Sequence, residues 1–292
     1  MSTMPIRRAR PLLGTFVDIR VDDAEEARAL AAIDAAFAEI AAVHRLMSFH
    51  AHDSDVARIN RDAAREAVTV DSRTHEVIVL AIEFARASAG RFDPTVAAQL
   101  VAWNLLPRPC DASLPDPAAD WRDIELLADG RLRCKKPLWI DLGGIAKGYA
   151  VDRAIERLRD FGITQACVNA GGDLRRIGSG MEPVHIRSPL PPHRPICALL
   201  LGEGAVASSG SYFEWSQCSG RGVGPHVDGV TRGAMLPDRA VSVVADRCVV
   251  ADALTKIVMS DADAARSVLD EWDAEALVHD SRGQQRIVGR AA

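Results

Sequence analysis

Between residues 138 and 150 an apolar strand (Leu138, Trp139, Ile140) runs into Asp141 and the adjacent glycines Gly143 and Gly144. A helix start carrying Lys147 and Gly148 follows. Glycines leave backbone N–H groups bare, a helix N-terminus carries partial positive charge, and an ammonium adds a full one. All three therefore suit an anion such as a phosphate. Asp141, just upstream, has the chemistry to hold a divalent cation or a ligand hydroxyl at the same place. The run is not the Walker pattern, which ends in Gly-Lys-Ser/Thr. Nor is it Gly-x-Gly-x-x-Gly, because the glycines are adjacent. A glycine pair between strand and helix serves a plain tight turn equally well.

Five more clusters carry chemical groups. Phe92-Asp93-Pro94-Thr95 sets an aromatic ring and a carboxylate at a helix mouth, as ligand contact or as a cap. Asn169-Ala170-Gly171-Gly172-Asp173 is a strand end with a second glycine pair. Ala207-Ser208-Ser209-Gly210-Ser211-Tyr212 is dense in hydroxyls that suit phosphate or sugar oxygens, and it lacks the Gly-x-Ser-x-Gly setting of a serine nucleophile. His226-Val227-Asp228 places an imidazole and a carboxylate on opposite sides of an extended segment. Asp252, at the start of a helix in Val250-Ala251-Asp252-Ala253-Leu254-Thr255-Lys256, either caps that helix or offers a hard oxygen to magnesium.

The elements that must hold these groups follow from periodicity. Alternation from Thr15 to Val21 predicts a first strand. Leu30, Ile33, Phe37, Ile40 and Val43 recur at three or four within a helix over 24–46. Ser54 and its neighbours cap a short helix to Asn60, and Asp71-Ser72 caps one reaching Ala87 and stopping at Gly90. Pro94 suits the first turn of a helix to Trp103. Residues 107–120, rich in Pro, Asp and Ala, form a loop or a join between lobes, and 124–140 form a hairpin turning at Asp129-Gly130. In the helix from Lys147, Ala150, Val151, Ala154, Ile155 and Leu158 share one face, and Gly162 stops it. Strands are expected at 166–169, 184–187, 196–201 and 241–245, helices at 251–259 and 262–272, and a terminal hairpin about Arg282-Gly283. Helices and strands come in blocks, which predicts an α+β fold with mixed sheets.

The chain has 292 residues, 48% hydrophobic and 26% charged, and a net charge of −5. That is ordinary for a globular protein, and it argues against nucleic acid as the main partner. No apolar run is long enough to span a bilayer. The basic start is followed by too short an apolar stretch for a secretory signal, and no cysteine stands there for lipid attachment, so a cytoplasmic location is expected. Six cysteines without any Cys-x-x-Cys pair predict neither a zinc site nor a disulfide framework, and most are expected as buried thiols.

Taken in order, the motifs resemble the FAD:protein FMN transferase family (ApbE flavin transferases). The matching runs are Arg10 to Thr15, Met47-Ser48, Asp53-Ser54-Asp55 with Asn60, and Phe92 to Thr95 with Trp103. Asp141 to Asp152, Asn169 to Asp173, Ala207 to Gly210, and Ala251 to Leu254 complete them, over roughly residues 10 to 260. The resemblance implies one T-fold-like domain over 1–292, its helices packed in two intimate lobes that join near 107–120. It also implies an enzyme that uses FAD and Mg2+. Such an enzyme splits the FAD pyrophosphate, attaches FMN by a phosphoester to a Thr or Ser of an acceptor protein, and releases AMP. By position, Met47, Phe92, Asp93, Asp141, Lys147 and Val227 would bind FAD. The Gly144 carbonyl, Asp252 and Thr255 would hold the metal. His226 would stand near the reacting phosphate, with His226 or Asp228 as the base. A non-catalytic FAD or nucleotide binder and a magnesium-dependent FAD pyrophosphatase are the alternatives.

Two segments depart from the family pattern. Lys256 stands where a threonine is usual four residues after the aspartate, with Thr255 one place early; its ammonium has the charge to replace the cation. In Pro225 to Arg232 one hydrophobic residue is missing, Gly229 replaces a proline and Arg232 replaces a glycine.

Overall fold

The computed structural model describes residues 4–187, 195–210, 216–218, 221–235, 239–280 and 284–289. Strand β2 (Thr15–Val21) buries Val17, Ile19 and Val21 on one face, as its alternation predicts. Ahead of it lies an unexpected strand, β1 (Ile6–Leu12), paired antiparallel through a turn in which Leu13 and Gly14 both have positive φ. β1 is an edge strand with arginines and Pro11, residues that discourage further strand pairing.

Helix α1 (Glu26–Met47) is capped by the Glu25 carboxylate and buries Ile33, Phe37, Ile40, Val43 and Met47. Ser54 caps α2 (Asp55–Asp62), and after β3 (Val68–Thr69), Asp71 caps α3 (Ser72–Ala87), each as expected. The helix expected from Pro94 starts later, as α4 (Ala97–Ala102). The reason is local: the Asp93 carboxylate accepts from both the N–H and the hydroxyl of Thr95, which fixes a turn instead. Strands β4 (Ile124–Leu126) and β5 (Arg131–Cys134) form the expected hairpin, with Asp129 and Gly130 at positive φ.

The strand expected at Leu138–Ile140 does not form. Asn60, from α2, takes the place of a partner strand: its side chain accepts from the Ile140 N–H at 2.7 Å and donates to the Ile140 carbonyl at 3.0 Å. Asp141 donates its own N–H to the Pro94 carbonyl. Side-chain and loop groups thereby hold the glycine segment that follows.

Helix α5 (Ala146–Asp160) buries the predicted face and stops at Gly162, φ 71°. The chain continues as β6 (Ala166–Ala170), β7 (Asp173–Ile177), β8 (Glu182–Arg187), β9 (Pro195–Leu201), β10 (Gly204–Gly210), β11 (Ser216–Cys218), β12 (Arg221–Val223) and β13 (Arg239–Ala245). Then come α6 (Cys248–Ser260), α7 (Arg266–Glu271), β14 (Glu275–Asp280) and β15 (Gln285–Val288). β7 and β10 were not foreseen. The helix expected over 262–272 is confined to α7, after a turn. The Arg282-Gly283 turn lies outside the described residues, as do Ser211 and Tyr212 of the hydroxyl cluster.

Eight strands form one sheet in the order β1-β2-β6-β7-β10-β13-β14-β15, every pair antiparallel. With α1, α5 and α6 packed on it, the molecule is α+β. The β8–β9 hairpin contributes Ile186 and Leu201 to a smaller cluster with Leu174 and Val206, away from the helices. All six cysteines are free; only Cys134 and Cys248 are buried, fewer than expected, and Cys110 is exposed.

Helices α5 and α6 cap one another. Asp152, two turns into α5, accepts from the N–H groups of Cys248 and Val249 in the first turn of α6, each at 2.9 Å. Asp252, in α6, accepts from the Gly148 N–H in the first turn of α5 at 3.0 Å. Each helix therefore meets a carboxylate of the other at its positive end. Asp252 does not cap its own helix, as the sequence had suggested. The crossing is close: a Cβ on Gly148 would lie 2.3 Å from the Cys248 carbonyl oxygen.

Two stability outcomes follow. Gly148→Ala must push the helices apart and should cost about 1–3 kcal/mol or more, the scale of overpacking a close contact. Asn60→Ala leaves two buried backbone groups of Ile140 unpaired and should cost about 1–3 kcal/mol for each group. Urea denaturation measures both; a loss near zero for Gly148→Ala would contradict the tight crossing.

Candidate functional site

A cavity of about 650 Å³ opens where these elements converge. Its walls come from the end of α1, the 91–96 turn, the glycine segment before α5, the starts and ends of β7 and β10, and the 225–227 segment. The lining pairs apolar side chains, among them Met47, Phe49, Phe92 and Leu100, with Asp141, Lys147, Asp173, His226 and Lys256. The volume and this mixture suit a sizeable ligand with an apolar part and an anionic part.

Four charged side chains meet at its floor, Lys147, Asp173 and Lys256 in the lining and Asp252 buried behind them. Lys147 hydrogen-bonds the Asp173 carboxylate and lies 3.9 Å from Asp252. Lys256, one turn along α6 from Asp252, hydrogen-bonds that carboxylate and also the Asp252 main-chain oxygen, at 3.2 Å. Two ammoniums thus balance two buried carboxylates. Burial works against the charge on Lys147, but Asp173 and Asp252 outweigh it and hold its pKa above that of a free lysine. Burial likewise raises the Asp173 carboxyl, opposed by Lys147. For Asp252 burial is also the largest influence and would raise the pKa. Lys147, Lys256 and the Gly148 N–H together overcome it and leave the carboxyl low, hence ionised.

The helix N-terminus expected to cradle a phosphate therefore holds the protein's own anion first. Gly148 gives its N–H to Asp252, so the cationic contribution to a ligand comes from the lysine side chains.

The residues implied as metal ligands do not make a divalent donor set. Mg2+ requires near-octahedral oxygen ligands. Asp252 is fully buried and already engaged by an N–H and two ammoniums. The Thr255 hydroxyl donates to the Asp252 carbonyl at 2.7 Å and pairs with the Ser209 hydroxyl at 2.8 Å. Gly144 packs against Phe92 and the Lys256 stem: a Cβ there would lie 3.4 Å and 3.7 Å from them. Among the described residues no group of three His, Cys, Asp or Glu side chains comes together to hold a metal.

Of the other predicted residues, Met47, Phe92, Asp93, Asp141 and Val227 all line the cavity with Lys147 and Gly144. Burial raises the Asp141 carboxyl, partly offset by the N–H of Gly143, the His50 charge and the N–H of Leu142. Asp93 is raised by burial, with Arg232 opposing it from 2.7 Å. That contact gives Arg232, one of the departures in the 225–232 segment, a structural role. Arg232 sits at φ 56°, where glycine is at ease, and its guanidinium is anchored on Asp93. Gly229 passes so close to the 90–93 backbone that a Cβ would lie 2.1 Å from the Gly90 oxygen.

His226 lines the cavity, and burial, then the charges of Lys256 and Lys147, push its pKa down to about 3. It is a neutral imidazole. Asp228 stands apart from the cavity lining: it accepts from the N–H groups of Val230 and Thr231 and from the Ser260 hydroxyl, holding the turn.

Sequence reasoning left two carboxylates of its motifs without a role. Asp173 ends the Asn-Ala-Gly-Gly-Asp run and is the main partner of Lys147; its place directly after a glycine pair was the available signal. Asp152 joins Arg175 at 2.8 Å and caps α6, and nothing in its local sequence marks that role.

Known proteins share this fold and much of this sequence. An ApbE protein of solved structure from Thermotoga maritima superposes with a TM-score of 0.85 at 27% identity, covering 97% of this chain and 96% of its own. The FAD:protein FMN transferase of Treponema pallidum is 27% identical over 278 residues, 85% of this chain and 76% of that protein. The enzyme of the same name from Vibrio cholerae is 29% identical, over 74% of this chain and 69% of its own. The family model for the ApbE family matches residues 13–278, and the chain belongs to that family.

Proposed function

We propose that this protein is an FAD:protein FMN transferase. The observation that carries the proposal is the convergence of Lys147 and Lys256 in a cavity whose walls also carry Phe92 and Met47. The apolar wall suits a flavin ring, and the ammoniums suit the pyrophosphate. The names of the relatives support the same reaction. Asp141, Asp93 and Val227 complete the FAD contacts: Asp141 takes a ligand hydroxyl, and Asp93, braced by Arg232 and Thr95, shapes the wall.

Transfer joins the hydroxyl oxygen of an acceptor Thr or Ser to the phosphorus on the flavin side. The bond from that phosphorus to the bridging oxygen breaks, and AMP leaves with the electron pair. The hydroxyl proton passes to solvent. Lys147 lowers the barrier by meeting the charge that grows on the pyrophosphate. His226, neutral in the pocket, orients the acceptor hydroxyl by a hydrogen bond and is too weak a base to take its proton outright. Asp228 holds the turn that presents His226. Magnesium is not part of this reading, since the donors near Asp252 do not fit it. No described helix is long and apolar enough to cross a membrane.

Purified protein, FAD and a protein extract as the acceptor source test the reaction. The expected result is AMP by chromatography, together with flavin fluorescence that stays on a protein band through denaturing electrophoresis. AMP with free FMN and no labelled protein would contradict transfer. Lys147→Met should lower the rate by about tenfold or more, as expected when a hydrogen bond to a charged group is lost.

The imidazole of His226 should titrate near 3 by NMR and stay neutral at neutral pH. Because its folded pKa lies below the unfolded value of about 6.5, its contribution to stability is full above that pH and declines as the pH falls toward 3. Titration near 6.5 would contradict the depression of its pKa by the desolvated cavity wall and the neighbouring lysines.

A further inference from the structure

We propose that the ammonium of Lys256 is the resident cation of this site. It occupies the position on Asp252 where a divalent metal would sit, and it meets the FAD pyrophosphate directly. The inference rests on the flavin reading above and gives that site a metal-independent chemistry.

Three observations carry it. Lys256 lies four residues after Asp252 on one face of α6, so the backbone places its head over that carboxylate. Its stem runs beneath Gly144, in contact with the same loop that precedes Lys147. Its side chain is 11% exposed and lines the cavity, so the head is held by Asp252 yet reaches the ligand space.

Charge balance makes the arrangement exclusive. Asp173 and Asp252 supply two negative charges; Lys147 and Lys256 supply two positive ones. A divalent ion added at Asp252 would face two ammoniums at close range and would have to displace one of them. A bound pyrophosphate brings the further negative charge that the two ammoniums can meet together. The ammonium does what a metal's charge would do, which is to stabilise the phosphoryl oxygens as the bond to AMP breaks. The atoms balance as in the transfer above, with no co-reactant.

FAD binding and metal binding test the idea separately. Protein treated with a chelator should bind FAD, by fluorescence quenching, within about twofold of protein with Mg2+. Mn2+ followed by EPR should show no site on the wild-type protein. Lys256→Met should weaken FAD binding in chelator by about tenfold or more, the scale of a lost charge-assisted contact. Lys256→Arg should largely retain it, and Lys256→Thr should gain a Mn2+ site that Asp252→Asn then removes.

A tenfold loss of wild-type FAD affinity in chelator, restored by Mg2+, would overturn the proposal. So would a wild-type Mn2+ site removed by Asp252→Asn, or unaltered FAD binding in Lys256→Met. Failure to bind FAD under every condition would contradict the proposed function instead. The Mn2+ measurements on wild type and Lys256→Thr would still decide whether the lysine fills the cation's place.

Discussion

The crossing of α5 over α6 is the contact on which the rest of the structure depends. Two helix N-termini approach within the thickness of a glycine, and each receives a carboxylate from the body of the other. A buried carboxylate without partners is costly, and so are unpaired N–H groups at a helix end. Here each deficiency answers the other. Asp152 is further tied to Arg175 on β7, so the helix pair is also fastened to the sheet. Any residue larger than glycine at position 148 breaks the approach.

The chemistry of the cavity follows from that contact. Asp252 must sit deep to reach Gly148, and its charge then requires compensation. Lys147 and Lys256 provide it, from the first turn of one helix and the third turn of the other. Asp173, at the start of β7, draws Lys147 toward the sheet. The lysines are therefore positioned by structural demands before any ligand arrives. Their hydrogen-bonding capacity exceeds what two carboxylates use, because each ammonium has three donors. What remains faces a cavity whose walls also carry Phe92 and Met47.

Much of this was legible in the sequence where local rules govern. The caps Ser54 and Asp71, the hairpin at Asp129-Gly130 and the buried face of α5 were each placed from residue type and spacing. The order of the glycine and aspartate motifs pointed to the family. Failures came where distant groups decide the outcome. Leu138 to Ile140 looked like a strand, but the side chain of Asn60, eighty positions earlier in the chain, satisfies the backbone instead. Asp252 looked like a cap for its own helix and proves to cap another. Asp228 stands out in the sequence only as the carboxylate beside His226, and its hold on the Val230–Thr231 turn depends on backbone geometry that spacing does not reveal. β1 escaped notice because its arginines hide an edge strand that buries little. Lys256 was visible as an anomaly, yet only the approach of its stem to Gly144 and its bonds to Asp252 show how fully it is built in.

A crystal structure of the FAD complex, grown with Mg2+ present, tests the whole account most directly. The account predicts pyrophosphate oxygens at hydrogen-bonding distance, about 2.7–3.2 Å, from the Nζ atoms of both Lys147 and Lys256, with Lys256 still on Asp252. An octahedral ion bound to Asp252, with the Lys256 side chain turned away from it, would contradict that account.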